Sequence, residues 1–217
     1  MKLYAHPFSS YCQKVLIALY ENGIPFELRL LAPGEERTVA EHEALWPLKR
    51  MPVLVDGGKT VVEASIIIEH LGLAHPGPVR LVPEEPRAAL DVRMMDRFFD
   101  NYVMTPMQKI VTDSLRAAAA RDRQGVAEAG ELLDTAYRWL DGVMRSREWA
   151  AGGTFSLADC AAAPALFYAD CAHPIDETFS AVRAYRRRLL ARPSVARAVD
   201  EARPYRPLFP LGAPDRD

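Results

Sequence analysis

The chain has 217 residues, of which 49% are hydrophobic and 26% charged, and its formal net charge is −2. This length accommodates one large domain or two ordinary ones, with enough apolar residues for a hydrophobic core. The nearly balanced charge argues against nucleic acid as a partner, because proteins that bind it carry basic patches or stripes. No apolar run approaches membrane-spanning length, so no membrane association is expected.

The cysteines indicate a reducing compartment. Cys12, Cys160 and Cys171 are odd in number and widely separated, which argues against a disulfide framework. The first residues have the pattern of a strand and lack the charged and apolar regions of a signal peptide. We therefore expect a cytoplasmic protein. The five histidines are scattered without ligand spacing, so no metal site is expected.

The first third of the chain alternates strand and helix signals. A strand is predicted at 2–6 and a helix at 10–21, which Asn22 and Gly23 end. Further elements are predicted as a strand at 26–31, a weaker helix at 35–45, two strands at 51–55 and 59–62 joined by a glycine turn, and a helix at 64–73. The predicted order is β-α-β, then α, then β-β-α.

The remainder is predicted to be helical. Residues 76–86 are rich in proline and predict a linker. Helices are expected at 87–115 with a kink at Pro106, at 125–144, 156–169 and 181–191, and briefly after Pro193. Ser156 and Asp159 have the spacing of a capping box, which is a folding signal. The change of pattern indicates an α/β domain, residues 1–75, followed by an all-α domain, residues 87–217.

The turn between the first strand and the first helix carries the clearest chemical signal. Ser9 precedes the helix, whose unpaired N–H groups and partial positive charge stabilise an anion such as a thiolate. Ser9 and Cys12 also have the spacing of a C-x-x-C redox loop in which the first thiol is a hydroxyl. A hydroxyl cannot attack a disulfide, but it can donate a hydrogen bond to another molecule's sulfur. The sequence therefore predicts a site for a soluble thiol.

Five motifs in order resemble the cytosolic glutathione S-transferase superfamily in its bacterial branches, with a zeta- and omega-like first loop. They occupy residues 9–15, 46–54, 62–71, 153–159 and 191–195. The resemblance covers nearly the whole chain. It implies a thioredoxin-like, glutathione-binding domain at 1–75 and a helical bundle at 87–217. It also implies a homodimer that uses reduced glutathione as co-substrate.

The resemblance assigns glutathione-binding residues in the second and third motifs. Met51 and Pro52 match the family's cis-proline step, whose backbone holds the cysteinyl part of glutathione, and Arg50 is a candidate for the glycyl carboxylate. Glu63 and Ala64 match the pair that binds the γ-glutamyl end. Ala64 stands where the family carries Ser or Thr, so either its backbone N–H or the hydroxyl of the next residue has to serve. That residue, Ser65, is equally well explained as an exposed first-turn residue.

The same resemblance assigns the catalytic role to Ser9, aligned with the activating Ser of the zeta-like members. Its alternative role is that of a helix N-cap, for which Ser is favoured. Ser10 is a secondary candidate. Cys12 falls at the resolving position of the redox loop and is interpreted more readily as a packed thiol than as a catalyst. The pocket for a small apolar electrophile is expected to involve Phe8, Tyr11, Tyr102 and Met107.

Three functions remain open from the sequence. The leading one is a transferase that activates the glutathione thiol for attack on apolar electrophiles. The second is a zeta-like glutathione-dependent cis–trans isomerase, which Ser9 and Ser10 favour and Tyr11, Gln13 and Lys14 disfavour. The third is a non-catalytic glutathione-fold binding or stress protein, which the replacement at Ala64 would suit.

Overall fold

A four-stranded sheet forms the core of the N-terminal part in the computed structural model, which describes residues 1–215. Its elements are β1 (Lys2–Ala5), α1 (Ser10–Glu21), β2 (Glu27–Leu30), α2 (Glu36–Leu45), β3 (Val53–Asp56), β4 (Lys59–Val62) and α3 (Ala64–Ala74). The strand order is β2-β1-β3-β4, with β1 parallel to β2 and antiparallel to β3. The order of elements along the chain, β-α-β, then α, then β-β-α, is the predicted one, and the fold is the predicted thioredoxin-like fold.

Helix α1 lies at the centre of the molecule because it is apolar on several sides. Its residues Val15, Leu16, Ile17, Ala18 and Leu19 are all buried. The helix packs against α3 within the N-terminal part and against α7 and α9 of the C-terminal part. An apolar surface this wide has to be covered from two directions, so α1 joins the halves of the molecule.

The C-terminal part is helical, as predicted. Its helices are α4 (Pro86–Phe98), α5 (Thr105–Ser114), α6 (Arg123–Met144), α7 (Leu157–Ala172), α8 (Ser180–Leu190) and α9 (Pro193–Ala202). Short 3-10 segments lie at Ala118–Ala120 and Arg203–Leu208. The capping box is confirmed at the start of α7, where Asp159 accepts the Ser156 backbone N–H at 2.9 Å. Nothing in the part described is both long and apolar enough to be a membrane-spanning helix.

The single kinked helix predicted at 87–115 is wrong in detail. A π-helical segment, Phe99–Met104, separates α4 from α5. Pro106 lies in the first turn of α5, directly after this segment. The division into 1–75, 76–86 and 87–217 stays a prediction, and its residues 216 and 217 lie outside the described part.

Candidate active site

The chain turns sharply between β1 and α1, and Ser9 lies at the end of that turn. The Ser9 backbone N–H donates to the His6 carbonyl at 2.9 Å, and its carbonyl accepts the Gln13 N–H at 2.8 Å. Ser9 is the N-cap residue by position, but its side chain makes no capping hydrogen bond. The first-turn N–H groups of α1 and the Ser9 hydroxyl are therefore not tied to each other.

Two buried side chains hold the carbonyls that precede Ser9. Gln13 Nε2 donates to the Pro7 carbonyl at 3.0 Å and to the Tyr168 hydroxyl at 3.2 Å. The Tyr168 hydroxyl in turn donates to the Phe8 carbonyl at 2.8 Å. Gln13 is 2% exposed and Tyr168 3% exposed. Because Tyr168 lies on α7, the C-terminal part of the chain fixes the position of the Ser9 turn.

Cys12 is the third residue of α1 and is fully buried. Burial raises the pKa of its thiol to about 11, although interaction with the Ser9 side chain opposes the shift. At neutral pH Cys12 is therefore a protonated thiol and a poor nucleophile. This agrees with the interpretation of Cys12 as a packing residue. Ser10, the first residue of α1, is half-buried.

The Met51–Pro52 peptide bond is cis, which confirms the prediction. It lies just before β3, whose first residue, Val53, pairs with Tyr4 of β1. Within residues 1–215, the Met51 N–H and carbonyl make no hydrogen bond to protein. Arg50 is exposed, and its carbonyl is hydrogen-bonded to His42 Nε2 at 3.0 Å. The backbone of Met51 is thus available to an extended ligand.

The start of α3 contains a strained residue. Glu63 has φ 70° and ψ 119°, a region that non-glycine residues rarely occupy. Such strain costs on the order of 1–3 kcal/mol and is found mainly where surrounding structure fixes the backbone for a function. The Glu63 side chain is exposed, whereas Ala64, the first helical residue, is buried.

A cluster of charges lies beneath the start of α3. Lys14 of α1 is 1% exposed, and its Nζ lies 2.5 Å from Asp96 Oδ1 and 3.0 Å from Asp100 Oδ2. Arg97 Nη2 lies 2.8 Å from Asp96 and 2.6 Å from Asp100. The two cations and two carboxylates cancel in formal charge, as buried charges must if they are to be tolerated.

Ser65 belongs to this charge cluster. Its Oγ donates to Asp96 Oδ2 at 2.8 Å and accepts from Lys14 Nζ at 3.0 Å and Arg97 Nη2 at 2.7 Å. A hydroxyl has one proton and two lone pairs, and all three are used here. Ser65 can therefore offer a ligand only its backbone N–H, and it stays a predicted glutathione-binding residue through that group alone.

Lys14, Asp96, Arg97 and Asp100 were not predicted as site residues. The signal for them is a lysine inside a helix with a long apolar run and two aspartates four residues apart on a helix that must pack against it. Such groups are rarely buried unless they are paired.

The predicted pocket residues are not all brought together. Tyr11 is half-buried beside the charge cluster; burial and then the Asp100 carboxylate raise the pKa of its hydroxyl to about 12. Phe8 packs edge-on against Tyr168, with ring centroids 5.3 Å apart. Tyr102 is 51% exposed, however, and Met107 is 4% exposed in the hydrophobic core. Phe8 therefore lies in the turn before α1 and Tyr11 in the first turn of that helix, whereas Met107 packs in the hydrophobic core.

Among the described residues, no group of three or more His, Cys, Asp or Glu side chains is arranged to hold a metal ion. Cys12, Cys160 and Cys171 are not joined to one another in disulfide bonds.

Known proteins match the chain in both halves. The model of the glutathione S-transferase N-terminal domain matches residues 3–79, and that of the C-terminal domain matches residues 118–188. A solved glutathione S-transferase of Methylobacterium radiotolerans, in complex with glutathione sulfonate, is 30% identical with a TM-score of 0.78. That match covers 91% of this chain and 93% of the other.

Two further relatives have different names. Maleylacetoacetate isomerase of Mus musculus is 27% identical over 173 residues, which are 77% of each chain. A stringent starvation protein A homolog of Coxiella burnetii is 28% identical over 171 residues, which are 77% of this chain and 75% of that one.

The fold and the site together define a thioredoxin-like domain with a hydroxyl at its strand-to-helix turn, joined to a helical domain. The chain belongs to the glutathione S-transferase family.

Proposed function

We propose that the protein is a glutathione transferase in which the Ser9 hydroxyl donates a hydrogen bond to the glutathione sulfur and favours its thiolate. The observation that carries this proposal is the position of Ser9, which is the N-cap residue of α1 but makes no capping hydrogen bond with its side chain. The family relationship supports it. Because burial keeps Cys12 protonated, no Cys12 thiolate competes with glutathione for the Ser9 proton.

The magnitudes are sufficient. A free thiol titrates near pH 8.5, and lowering its pKa by about two units requires roughly 2.7 kcal/mol. A hydrogen bond to a charged group contributes about 1.5–3 kcal/mol, and a helix N-terminus adds about 0.3–1 kcal/mol. Ser9 and the N-terminus of α1 together supply what the chemistry needs.

Residues 1–75 would hold the rest of the glutathione molecule. The free backbone of Met51, beside cis-Pro52, suits the cysteinyl amide, and the exposed Arg50 suits the glycyl carboxylate. Glu63 would accept the α-ammonium group of the γ-glutamyl end, and the backbone N–H groups of Ala64 and Ser65 would face its α-carboxylate.

The second substrate is proposed as a small apolar electrophile that enters beside Phe8 and Tyr11. A homodimer is proposed from the exposed apolar side chains Ile66 on α3 and Leu90 and Met94 on α4, since adjacent exposed apolar groups favour association. Light scattering on the purified chain tests it. The cytoplasmic location stays a prediction, supported by three cysteines that form no disulfide bond with one another.

A cis–trans isomerase is the second candidate, favoured by the similarity to the mouse maleylacetoacetate isomerase and by Ser9 and Ser10. A non-catalytic binding or stress protein is the third, favoured by the similarity to the stringent starvation protein A homolog and by Ala64.

Calorimetry with reduced glutathione, followed by turnover assays, separates the three. Binding together with turnover of a chlorinated nitroarene supports the transferase, and rotation of a cis-enone diacid without net consumption of glutathione supports the isomerase. Binding with neither activity supports the third candidate. No binding of glutathione at millimolar concentration overturns the transferase and isomerase proposals.

A further inference from the structure

Arg97 lies where the two domains meet at the start of α3, with its guanidinium against Ser65. Its Nη2 donates to Ser65 Oγ, Asp96 Oδ2 and Asp100 Oδ2, and its Nε donates to Asp96 Oδ2 at 3.2 Å. These bonds fix the plane of the guanidinium. The side chain is nevertheless 52% exposed, and Nη1 has no hydrogen-bond partner within residues 1–215. One edge of a rigid cation therefore faces solvent.

The start of α3 has no side-chain hydroxyl free to donate a hydrogen bond to a bound carboxylate. Ala64 has no hydroxyl, and the Ser65 hydroxyl is saturated by Lys14, Asp96 and Arg97. A carboxylate at the start of α3 would find backbone N–H groups but no hydroxyl donor from the helix. Arg97 is the charged donor that touches Ser65 and is still open to solvent.

The charges also fit an amino-acid head group. The cluster of Lys14, Arg97, Asp96 and Asp100 is neutral in formal charge. Glu63, the strained residue before α3, presents a separate exposed carboxylate. A zwitterion brings one ammonium and one carboxylate. Glu63 suits the ammonium group, and the solvent-facing edge of the Arg97 guanidinium suits the carboxylate.

We propose that Arg97 binds the α-carboxylate of the γ-glutamyl group of glutathione and supplies in this chain the donor that Ala64 lacks. This inference rests on the proposed function and assigns a residue of the helical domain to the glutathione site. Arg97 is pre-organised by Asp96, Asp100 and Ser65, so binding costs little side-chain entropy.

The test compares two peptides that differ only in the α-carboxylate. Reduced glutathione and 4-aminobutyryl-cysteinylglycine, which lacks that group, are titrated calorimetrically into the full chain and its variants. Loss of a charge-assisted hydrogen bond corresponds to about tenfold or more in affinity. Arg97→Gln is expected to weaken glutathione by that factor and leave the affinity for the analogue unchanged.

Arg93→Gln is the matched control, because Arg93 lies one turn earlier on the same helix and makes a two-nitrogen contact with Glu69 instead, at 2.8 and 2.7 Å. It is expected to leave both affinities unchanged. Arg97→Lys keeps the charge beside Asp96 and Asp100 and is expected to fall between wild type and Arg97→Gln. If Arg97→Gln does not fold, Arg97→Lys gives the same comparison.

The role of Arg97 is overturned if Arg97→Gln lowers the affinity for both peptides equally, or if it leaves the affinity for glutathione unchanged. A wild-type chain that binds glutathione and the analogue equally well also overturns it. Failure of the wild type to bind glutathione at all overturns the proposed function and this inference with it, and that result requires no variant.

Discussion

Tyr168 on α7 and Phe8 in the turn before α1 are 160 residues apart in sequence and joined by a hydrogen bond of 2.8 Å. The Tyr168 hydroxyl also accepts from Gln13, which holds the Pro7 carbonyl. The hydroxyl proposed to contact the substrate sulfur is therefore positioned by the helical domain. A substitution on α7 should therefore alter the pKa of a thiol bound to the N-terminal domain.

Tyr168→Phe tests this relationship. The variant leaves the Phe8 carbonyl unpaired, and an unsatisfied buried group costs about 1–3 kcal/mol. Because the Ser9 turn is loosened, we expect the pKa of bound glutathione to rise and kcat to fall more than the affinity for glutathione. The thiolate absorbance of the complex, followed against pH, measures the shift.

Tyr185→Phe is its control, because Tyr185 is a fully buried tyrosine that donates to Asp159 at 2.5 Å and does not touch the turn. It should lower stability without altering the pKa of the bound thiol. Equal thiol pKa values in the two variants would contradict a positioning role for Tyr168.

Ser9→Ala removes the proposed donor to sulfur. The loss of a hydrogen bond to a thiolate corresponds to a rise of about one to two pKa units in bound glutathione. The affinity for glutathione should change little, because the peptide backbone is held elsewhere. The pH–rate profile should shift to higher pH by the same amount. Ser10→Ala should leave the pH–rate profile unchanged. A shift in Ser10→Ala and none in Ser9→Ala would show that Ser10 is the donor instead.

Cys12 should resist alkylation at neutral pH. Burial raises the pKa of its thiol to about 11, so the protonated form dominates. At pH 8 about one molecule in a thousand carries the thiolate. Cys160 is also fully buried, whereas Cys171 is half-buried, so Cys171 should react first with iodoacetamide. Peptide mass mapping identifies the modified residue; rapid modification of Cys12 in the folded chain would show that the turn opens readily.

Lys14→Met should strongly destabilise the fold. It removes the buried cation between Asp96 and Asp100 and leaves these two carboxylates with the half-exposed Arg97 as their remaining cation, and breaking a buried ion pair costs about 3–5 kcal/mol. Urea denaturation measures the loss. Lys109→Met removes a lysine from the more exposed pair with Asp122 and should cost less than about 1 kcal/mol. Similar losses of stability in both variants would contradict the expectation that breaking a buried ion pair costs more than breaking an exposed one.

The sequence could predict what depends on neighbouring residues. Asn22 and Gly23 end α1, Ser156 and Asp159 start α7, and the cis bond before Pro52 follows from proline chemistry within a recognised motif. Each of these features is decided within a few positions along the chain.

Features that depend on distant residues could not be predicted. The partners of Lys14 lie 82 and 86 positions away on α4 and the π-helical segment, and nothing in the pattern of α1 specifies them. Met107 was expected in the pocket, but a single sequence does not tell which face of a helix meets the core. The π-helical segment was likewise hidden, because an apolar helical pattern does not distinguish it from an α-helix.

The cluster around Lys14 has a consequence for building chimaeras. The lysine comes from the first domain and its counter-ions from the second, so neither half brings its own electrical neutrality. Joining the thioredoxin-like domain to another helical domain would succeed only if that domain places two carboxylates opposite Lys14, as Asp96 and Asp100 do here. Whether two such domains fit together is thus decided by a few buried ion pairs in their interface as well as by the shape of the contacting surfaces.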